Sequence, residues 1–297
     1  MAQQRKVALI TGASRSVGKS AALALAKRGM DIVVASRTLT GTEAFDVSAT
    51  AREKDVVAMP GSLQQTAAEC RALGVRALAV KLDLLNRQDC ENAVSQAMKE
   101  FGRVDVLVNN ARYYGPGQQD LFEETEMKYI DMAMEANVLA PLYLTQLCLP
   151  SMKKNAGGVV VNLISGAGSR EVAALPGKGG WGLNYSITKA AIARATRGLA
   201  KEFKQYNIAV VNVDPGNVVN EHRVHEAGKW GYTASLDNGL RPEVPGEAIA
   251  YIATHPHPMF FSGKDYVALD VCLAYQLVDA NAVAKNEAMA LWGLPRN

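Results

Sequence analysis

The sequence predicts an α/β fold built on one doubly wound parallel sheet. Short β-branched runs recur, and most are continuously apolar rather than alternating, as strands buried on both faces of a parallel sheet require. Helical spacing separates one run from the next over the whole chain, so each crossover is expected to be right-handed. No internal repeat or low-complexity linker divides the 297 residues, which read as a single domain over 1–297.

The strands are read in order at "KVALI" (6–10), 31–36, 76–83, 104–110, 157–165, 207–214 and 265–271. Between them, helical patterns cover 17–28, 62–73, 87–100, a long stretch near 124–153, then 184–205 and 246–254. The second helix has a start signal, with Ser62 as N-cap and Gln65 closing a capping box. Three segments break the alternation: 38–61, a long connection at 216–245, and a C-terminal extension at 274–297. Connections this long in compact domains usually serve function, and 216–245 follows a strand end, where such sheets bind ligands.

Composition narrows the function classes. The chain is 48% hydrophobic and 21% charged, as in an ordinary globular protein. A net charge of +3 is too small and too dispersed for a nucleic-acid or membrane surface. The N-terminus does not resemble a signal peptide, and no apolar run approaches the roughly 20 residues that span a bilayer. Cys70, Cys90, Cys148 and Cys272 are scattered without a C-x-x-C pair and read as reduced, buried thiols. A cytoplasmic location is the expectation. His222/His225 and His255/His257 offer no third ligand, so no metal site is expected.

The first strand leads into "TGASRSVG" (11–18) and then a helix. Strand, tight turn and helix start form an anion site, because backbone N–H groups converge at a helix N-terminus. The dinucleotide fingerprint G-x-G-x-x-G keeps only its outer glycines here. Gly12 permits the sharp turn, Gly18 close helix–strand packing, and Ser16 stands where the middle glycine would be.

A second pattern lies at "NYSITKAAIARA", where Tyr185 and Lys189 share one helix face at i, i+4. Free tyrosine has a pKa near 10, and a neighbouring ammonium favours its anion, which makes tyrosine a usable general acid/base. The preceding strand ends in "NLIS", which brings Ser165 to the same sheet edge. Asn137 is a polar residue inside an apolar helical stretch, and by itself reads as a core amide.

Taken in order, these motifs resemble the short-chain dehydrogenase/reductases in their common form of about 250 residues, from about residue 5 to 271. "TGASRSVG" is similar to the cofactor turn of that family, through Gly12, Ser14, Arg15, Ser16, Val17 and Gly18. "LDLL", with Asp83 and Leu84, resembles its adenine contact, and "NNA", with Asn110 and Ala111, its strand-end motif. "DPGNV", with Pro215, Gly216 and Val218, resembles the Pro-Gly beside the nicotinamide. The resemblance implies a Rossmann-type domain and a catalytic set of Asn137, Ser165, Tyr185 and Lys189, the last two also touching cofactor. It further implies hydride transfer between a nicotinamide and a small carbonyl/alcohol substrate. Asn137 would anchor a water in a proton relay from Lys189. A homo-oligomer, tetramer or dimer, would form on the helices at 124–153 and 184–205. A dehydratase or epimerase on the same scaffold, and a non-catalytic nucleotide sensor, are the alternatives.

The departures are specific. Arg112 replaces the glycine that ends the "NNAG" motif, so its side chain either turns away or lines the site. The spacer from Ser165 to Tyr185 is longer than usual and is expected to reshape the substrate rim. Asn220 stands where the family often has threonine. An NAD site needs an acid at the end of the second strand to accept from the ribose hydroxyl. Here Ser36 occupies that place with Arg37 beside it and Arg15 within reach, a set that favours NADP(H) over NAD. Trp181, Trp230, Tyr232, Met259, Phe260 and Phe261 are candidates for an apolar substrate pocket. In the extension, Leu277, Ala280, Val283, Ala284, Ala288 and Leu291 form one helical stripe. The stripe is expected to pack on a neighbouring subunit, with Trp292 closing the pocket, or else to dock on its own subunit away from the site.

Overall fold

A computed structural model describes residues 4–226, 229 and 239–279. The described residues form a seven-stranded parallel sheet of β1 (Val7–Thr11), β2 (Asp31–Ser36), β5 (Ala77–Lys81), β6 (Val106–Asn109), β7 (Gly158–Leu163), β8 (Ile208–Asp214) and β9 (Asp265–Val267). Their order is β5-β2-β1-β6-β7-β8-β9, so the chain reverses direction beside β1 and leaves a crevice between the ends of β1 and β6. The register there pairs Ala8, Leu9 and Ile10 with Val106, Leu107 and Val108. These central strands are buried on both faces, which is why their apolar runs are unbroken.

Helices cover both faces. The first core layer packs α1 (Ser16–Lys27), α2 (Leu63–Ala72) and α8 (Glu243–Thr254) on one side, through Ala21, Leu25, Leu63, Ile249 and Ile252. The second packs α3 (Arg87–Phe101), α5 (Ala140–Lys154) and α6 (Leu183–Phe203) on the other, through Ala97, Phe101, Leu144, Met152 and Phe203.

Four expectations change. The stretch near 124–153 is not one helix: a 3-10 turn precedes α4 (Met127–Met134), and a π-helical turn at Glu135–Leu139 joins it to α5. The last strand ends at Val267, and Ala268–Ala274 forms a helix, α9. Segment 38–61 contains a two-stranded hairpin, β3 (Phe45–Asp46) with β4 (Val56–Val57). Ser62 caps α2 by accepting from the Gln65 amide at 3.1 Å, but the Gln65 side chain turns to Glu69 rather than back to the cap.

Beyond α9 the chain turns at Gln276, with φ of 53°, and Leu277 N donates to the Cys272 carbonyl at 2.8 Å. Leu277 and Val278 pack on the core of their own subunit, so the helix ends before the predicted stripe begins. Ala280, Val283, Ala284, Ala288, Leu291 and Trp292 lie outside the described residues, as do Trp230 and Tyr232. No helix among the described residues is long and apolar enough to cross a membrane.

Candidate active site

A cleft of about 880 Å³ opens over the carboxyl ends of β1, β6, β7 and β8. Its floor is the turn after β1. Gly12 adopts φ of +68°, a region that costs other residues a steric clash. A Cβ at Gly18 would approach the Gly12 carbonyl oxygen to 2.3 Å, so the two glycines let the helix start close against the strand end. Ser16 has φ of 47°, which explains a glycine preference there and makes the serine a strained substitute rather than a neutral one. Asn110 ties the turn to β6 by donating to the Thr11 and Gly12 carbonyls at 2.8 and 3.2 Å. Thr11 Oγ1 in turn accepts from the Ala111 amide at 3.0 Å.

The donor set fits a pyrophosphate. Glu221 on α7 (Glu221–His225) lies against this turn, where the Ser16 backbone N–H and the Arg15 charge favour its ionised form. Burial pushes that carboxyl's pKa up, while the neighbouring Arg15 opposes the shift.

Above the floor, the structure brings Ser165, Tyr185 and Lys189 together. Tyr185 enters on the first turn of α6 and Lys189 follows one turn later, both buried. The Lys189 ammonium lies 5.8 Å from the centre of the Tyr185 ring and donates to the Leu163 carbonyl at 2.6 Å. Burial, reinforced by the charge of Arg112, lowers its pKa to about 7, against the pull of Asp214. Ser165 lies two residues beyond β7 and caps a 3-10 turn, its Oγ accepting from the Ala167 amide at 3.2 Å, which orients the hydroxyl. Asn137 sits in the π-helical turn, a feature often found at functional sites. Its side chain is engaged at both ends, accepting from Tyr113 N at 2.6 Å and donating to Thr188 Oγ1 at 3.0 Å. That side chain braces the β6 loop against α6.

Arg112 lines the site. Its guanidinium lies 4.7 Å from the Tyr114 ring centre and 5.2 Å from that of Tyr185. The long spacer does shape the rim: Trp181 packs on Tyr185 at 4.8 Å between ring centres, and Gly182 N donates to the Gln118 carbonyl at 2.7 Å. His222, met in the sequence only as a rejected metal ligand, stacks on Tyr114 at 4.1 Å. Burial, with Arg112 and Arg15 nearby, lowers its pKa to about 3. Nothing in its spacing marks it, since only the fold carries α7 to the cleft. Pro215, Gly216 and Val218 line the same wall, and Asp214 Oδ1 accepts from Gly216 N at 3.0 Å.

At the far end, Ser36, Arg37 and Arg15 line the cleft together with Asp83 and Leu84. Arg37 stacks on Phe45 of the hairpin at 4.4 Å. Arg15 is held by segment 38–61, donating to the Pro60 carbonyl at 2.7 Å and to Thr38 Oγ1 at 3.1 Å. Its pKa is lowered, chiefly by burial, with Glu221 opposing and Arg37 adding. Asp83 accepts from the Leu85 amide at 3.0 Å.

Three aromatic or sulfur candidates do not reach the cleft. Phe261 is a core residue packed edge-on to Tyr251 and Tyr266, Met259 packs on the same core, and Phe260 is exposed. A continuous apolar–aromatic run after a helix marks core as readily as a pocket. The four cysteines are free and buried, and burial raises each thiol pKa, to about 11 or 12.

A family model described as short chain dehydrogenase matches residues 47–229, more than half of the chain. The chain belongs to the short-chain dehydrogenase family. As a short-chain dehydrogenase/reductase it is an oxidoreductase of alcohol and carbonyl groups, with a nicotinamide dinucleotide as cofactor. An uncharacterised oxidoreductase of Thermotoga maritima is 34% identical over 73% of this chain and 74% of its own. A cyclohexanol dehydrogenase of a Rhodococcus species is 30% identical over 72% of this chain and 74% of its own. A solved 7α-hydroxysteroid dehydrogenase, complexed with NADH and 7-oxo glycochenodeoxycholic acid, superposes with a TM-score of 0.69. It is 26% identical, covering 88% of this chain and 92% of that one. L-sorbose reductase from Gluconobacter frateurii, complexed with NADPH, shares the fold at a TM-score of 0.71 and 24% identity, over 89% of this chain and 95% of that one.

Proposed function

We propose that the protein is an NADP(H)-dependent ketone reductase and alcohol dehydrogenase with Tyr185 as its general acid/base. The observation that carries this reading is the placement of Tyr185, Lys189 and Ser165 in one cleft with the Gly12–Gly18 turn. The bound nicotinamide supplies the hydride in reduction and accepts it in oxidation. Gly12, Ser14, Ser16, Val17 and Gly18 would hold its pyrophosphate. Arg15, Ser36 and Arg37 would hold the 2′-phosphate, and Asp83 and Leu84 would border the adenine. Asn110, Ala111, Pro215, Gly216 and Val218 would border the nicotinamide half.

In reduction Tyr185 gives its proton to the carbonyl oxygen. Ser165 keeps its proton and donates a hydrogen bond to the same oxygen, since its lone pair is already turned to Ala167 N. Lys189 and Arg112, 5.8 and 5.2 Å from the tyrosine ring centre, stabilise the charge left when the proton departs. Trp181 and the exposed Val172 of the spacer give the substrate's apolar body a wall. A panel of ketones followed by NADPH absorbance tests the reading. Stoichiometric loss of NADPH with alcohol formation supports it, and substrate conversion without cofactor loss would point to a dehydratase or epimerase.

The Lys189 shift has a pH consequence. The group is lowered from 10.5 to about 7, so in the free protein it loses its charge as pH rises through about 7. Where reduction needs the ammonium, kcat/KM for NADPH is expected to decline above about pH 7, because that ratio reports the free enzyme. Stability moves the other way. The buried charge is a full penalty below about 7, and the penalty fades as pH rises toward 10.5, where the unfolded lysine also loses its proton. Lys189→Met is therefore expected to unfold at higher temperature than the wild type near pH 6, with the gap narrowing by pH 10. A gap independent of pH would refute the assignment.

We also infer a cytoplasmic homo-oligomer, a tetramer or dimer, formed on α4, α5 and α6. Met127, Leu139 and Leu183 are exposed on or beside these helices. Light scattering during gel filtration is expected to give a multiple of 31.8 kDa, and a monomer mass would refute it.

A further inference from the structure

We propose that Arg112 is an anion-recognition residue, and that the natural substrate is a carbonyl compound carrying a carboxylate within a few bonds of the reacting carbon. The inference rests on the oxidoreductase reading and narrows it to oxo acids and hydroxy acids.

The geometry is that of a prepared half-pair. Nη1 of Arg112 donates to Gln118 Oε1 at 2.6 Å and to the Tyr113 carbonyl at 3.3 Å. Gln118 is buried and braced by its own amide against the Tyr113 and Gly115 carbonyls, each at 3.4 Å, so the guanidinium is anchored at one corner. The rings of Tyr114 and Tyr185 flank it and fix its plane. Among the described residues no acceptor takes Nε or Nη2, and no carboxylate lies within ion-pair distance of the group. The vacant edge is the side of a guanidinium that offers two parallel N–H groups, the pattern that a carboxylate matches with its two oxygens.

The surroundings point the same way. A partly buried cation beside the Lys189 ammonium is costly without an anion, and Asp214, which raises the Lys189 pKa, is shared with Arg170 at 3.6 Å. The contact at 5.2 Å places the guanidinium against the Tyr185 ring, so a carboxylate held by Arg112 would lie within a few bonds of a carbonyl held by that tyrosine. Trp181, packed on Tyr185 and lining the same cleft, offers an apolar surface to the rest of the substrate.

Two substrate pairs test it, benzoylformate with its methyl ester and acetoacetate with its ethyl ester, each at saturating NADPH. The wild type is expected to favour the acid over its ester by about 10- to 100-fold in kcat/KM, the worth of a charge-assisted double hydrogen bond. Arg112→Gln should collapse that ratio, mainly through KM, and Arg112→Lys should recover only part of it, because the charge returns without the fork. Calorimetric titration of the NADP+ complex, which has no hydride to give, with benzoylformate provides a readout free of turnover, and Kd is expected to rise about 10-fold or more in Arg112→Gln. An acid-to-ester ratio near one in the wild type, an unchanged ratio in Arg112→Gln, or an unchanged Kd overturns the inference. Reduction of esters and not acids overturns it while the reductase reading stands. Binding of benzoylformate that depends on Arg112, with no carbonyl consuming NADPH, supports the anion site and overturns the reductase reading.

Discussion

Tyr185→Phe is expected to lower kcat by about 10² to 10⁴-fold, the usual worth of a positioned general acid. The phenylalanine keeps the ring that packs on Trp181 and beside Arg112, so the fold and the cleft wall persist while only the proton is lost. Cofactor affinity should change by less than about 3-fold, because the turn and the two arginines at its far end are untouched. Stopped-flow turnover together with fluorescence titration of NADPH checks both halves. A variant retaining more than about a tenth of wild-type kcat would assign the acid to another group.

The second large effect concerns cofactor choice. Wild-type protein is expected to favour NADPH over NADH by about 10- to 100-fold in kcat/KM, since a 2′-phosphate gains charge-assisted bonds to Arg15 and Arg37. Ser36→Asp with Arg37→Gln should invert that preference. The new carboxylate repels the phosphate and accepts from the ribose hydroxyl, and Arg37 no longer stacks on Phe45 to present its charge. Arg15 will not replace it fully, because its guanidinium is already held by the Pro60, Met59 and Gly61 carbonyls. Equal kcat/KM for the two cofactors in the wild type would refute the charge argument.

The sheet was legible because parallel strands buried on both faces carry continuous apolar runs, as "VALI" (7–10) and "IAVV" (208–211) do. The same rule misled at the last strand, where an apolar run of that length cannot be told from a helix, and Ala268–Ala274 is one. The break near Asn137 was half legible. A lone amide in an apolar helix was noticed, but the π turn that accommodates it is set by its bonds to Tyr113 and Thr188 on other elements. The hairpin at Phe45–Asp46 and Val56–Val57 is too short to carry a periodic signal.

Within the cleft, Gly12, Gly18, Ser165, Tyr185 and Lys189 could be found because their motifs fix local geometry. Arg112 could be flagged as a departure, but its direction depends on Gln118 and two tyrosine rings that only the tertiary structure assembles. His222 and Glu221 carried no signal, since α7 reaches the cleft through a bridge between Val218 and Leu240.

Isotope tracing follows the transferred hydride itself. NADPH carrying deuterium at the transferable position of its nicotinamide is incubated with the protein and its best ketone from the panel, and the product alcohol is analysed by mass spectrometry and NMR. One deuterium is expected at the former carbonyl carbon for each NADPH consumed. Product formed without deuterium at that carbon, or with the label still on the cofactor after conversion, would contradict hydride transfer.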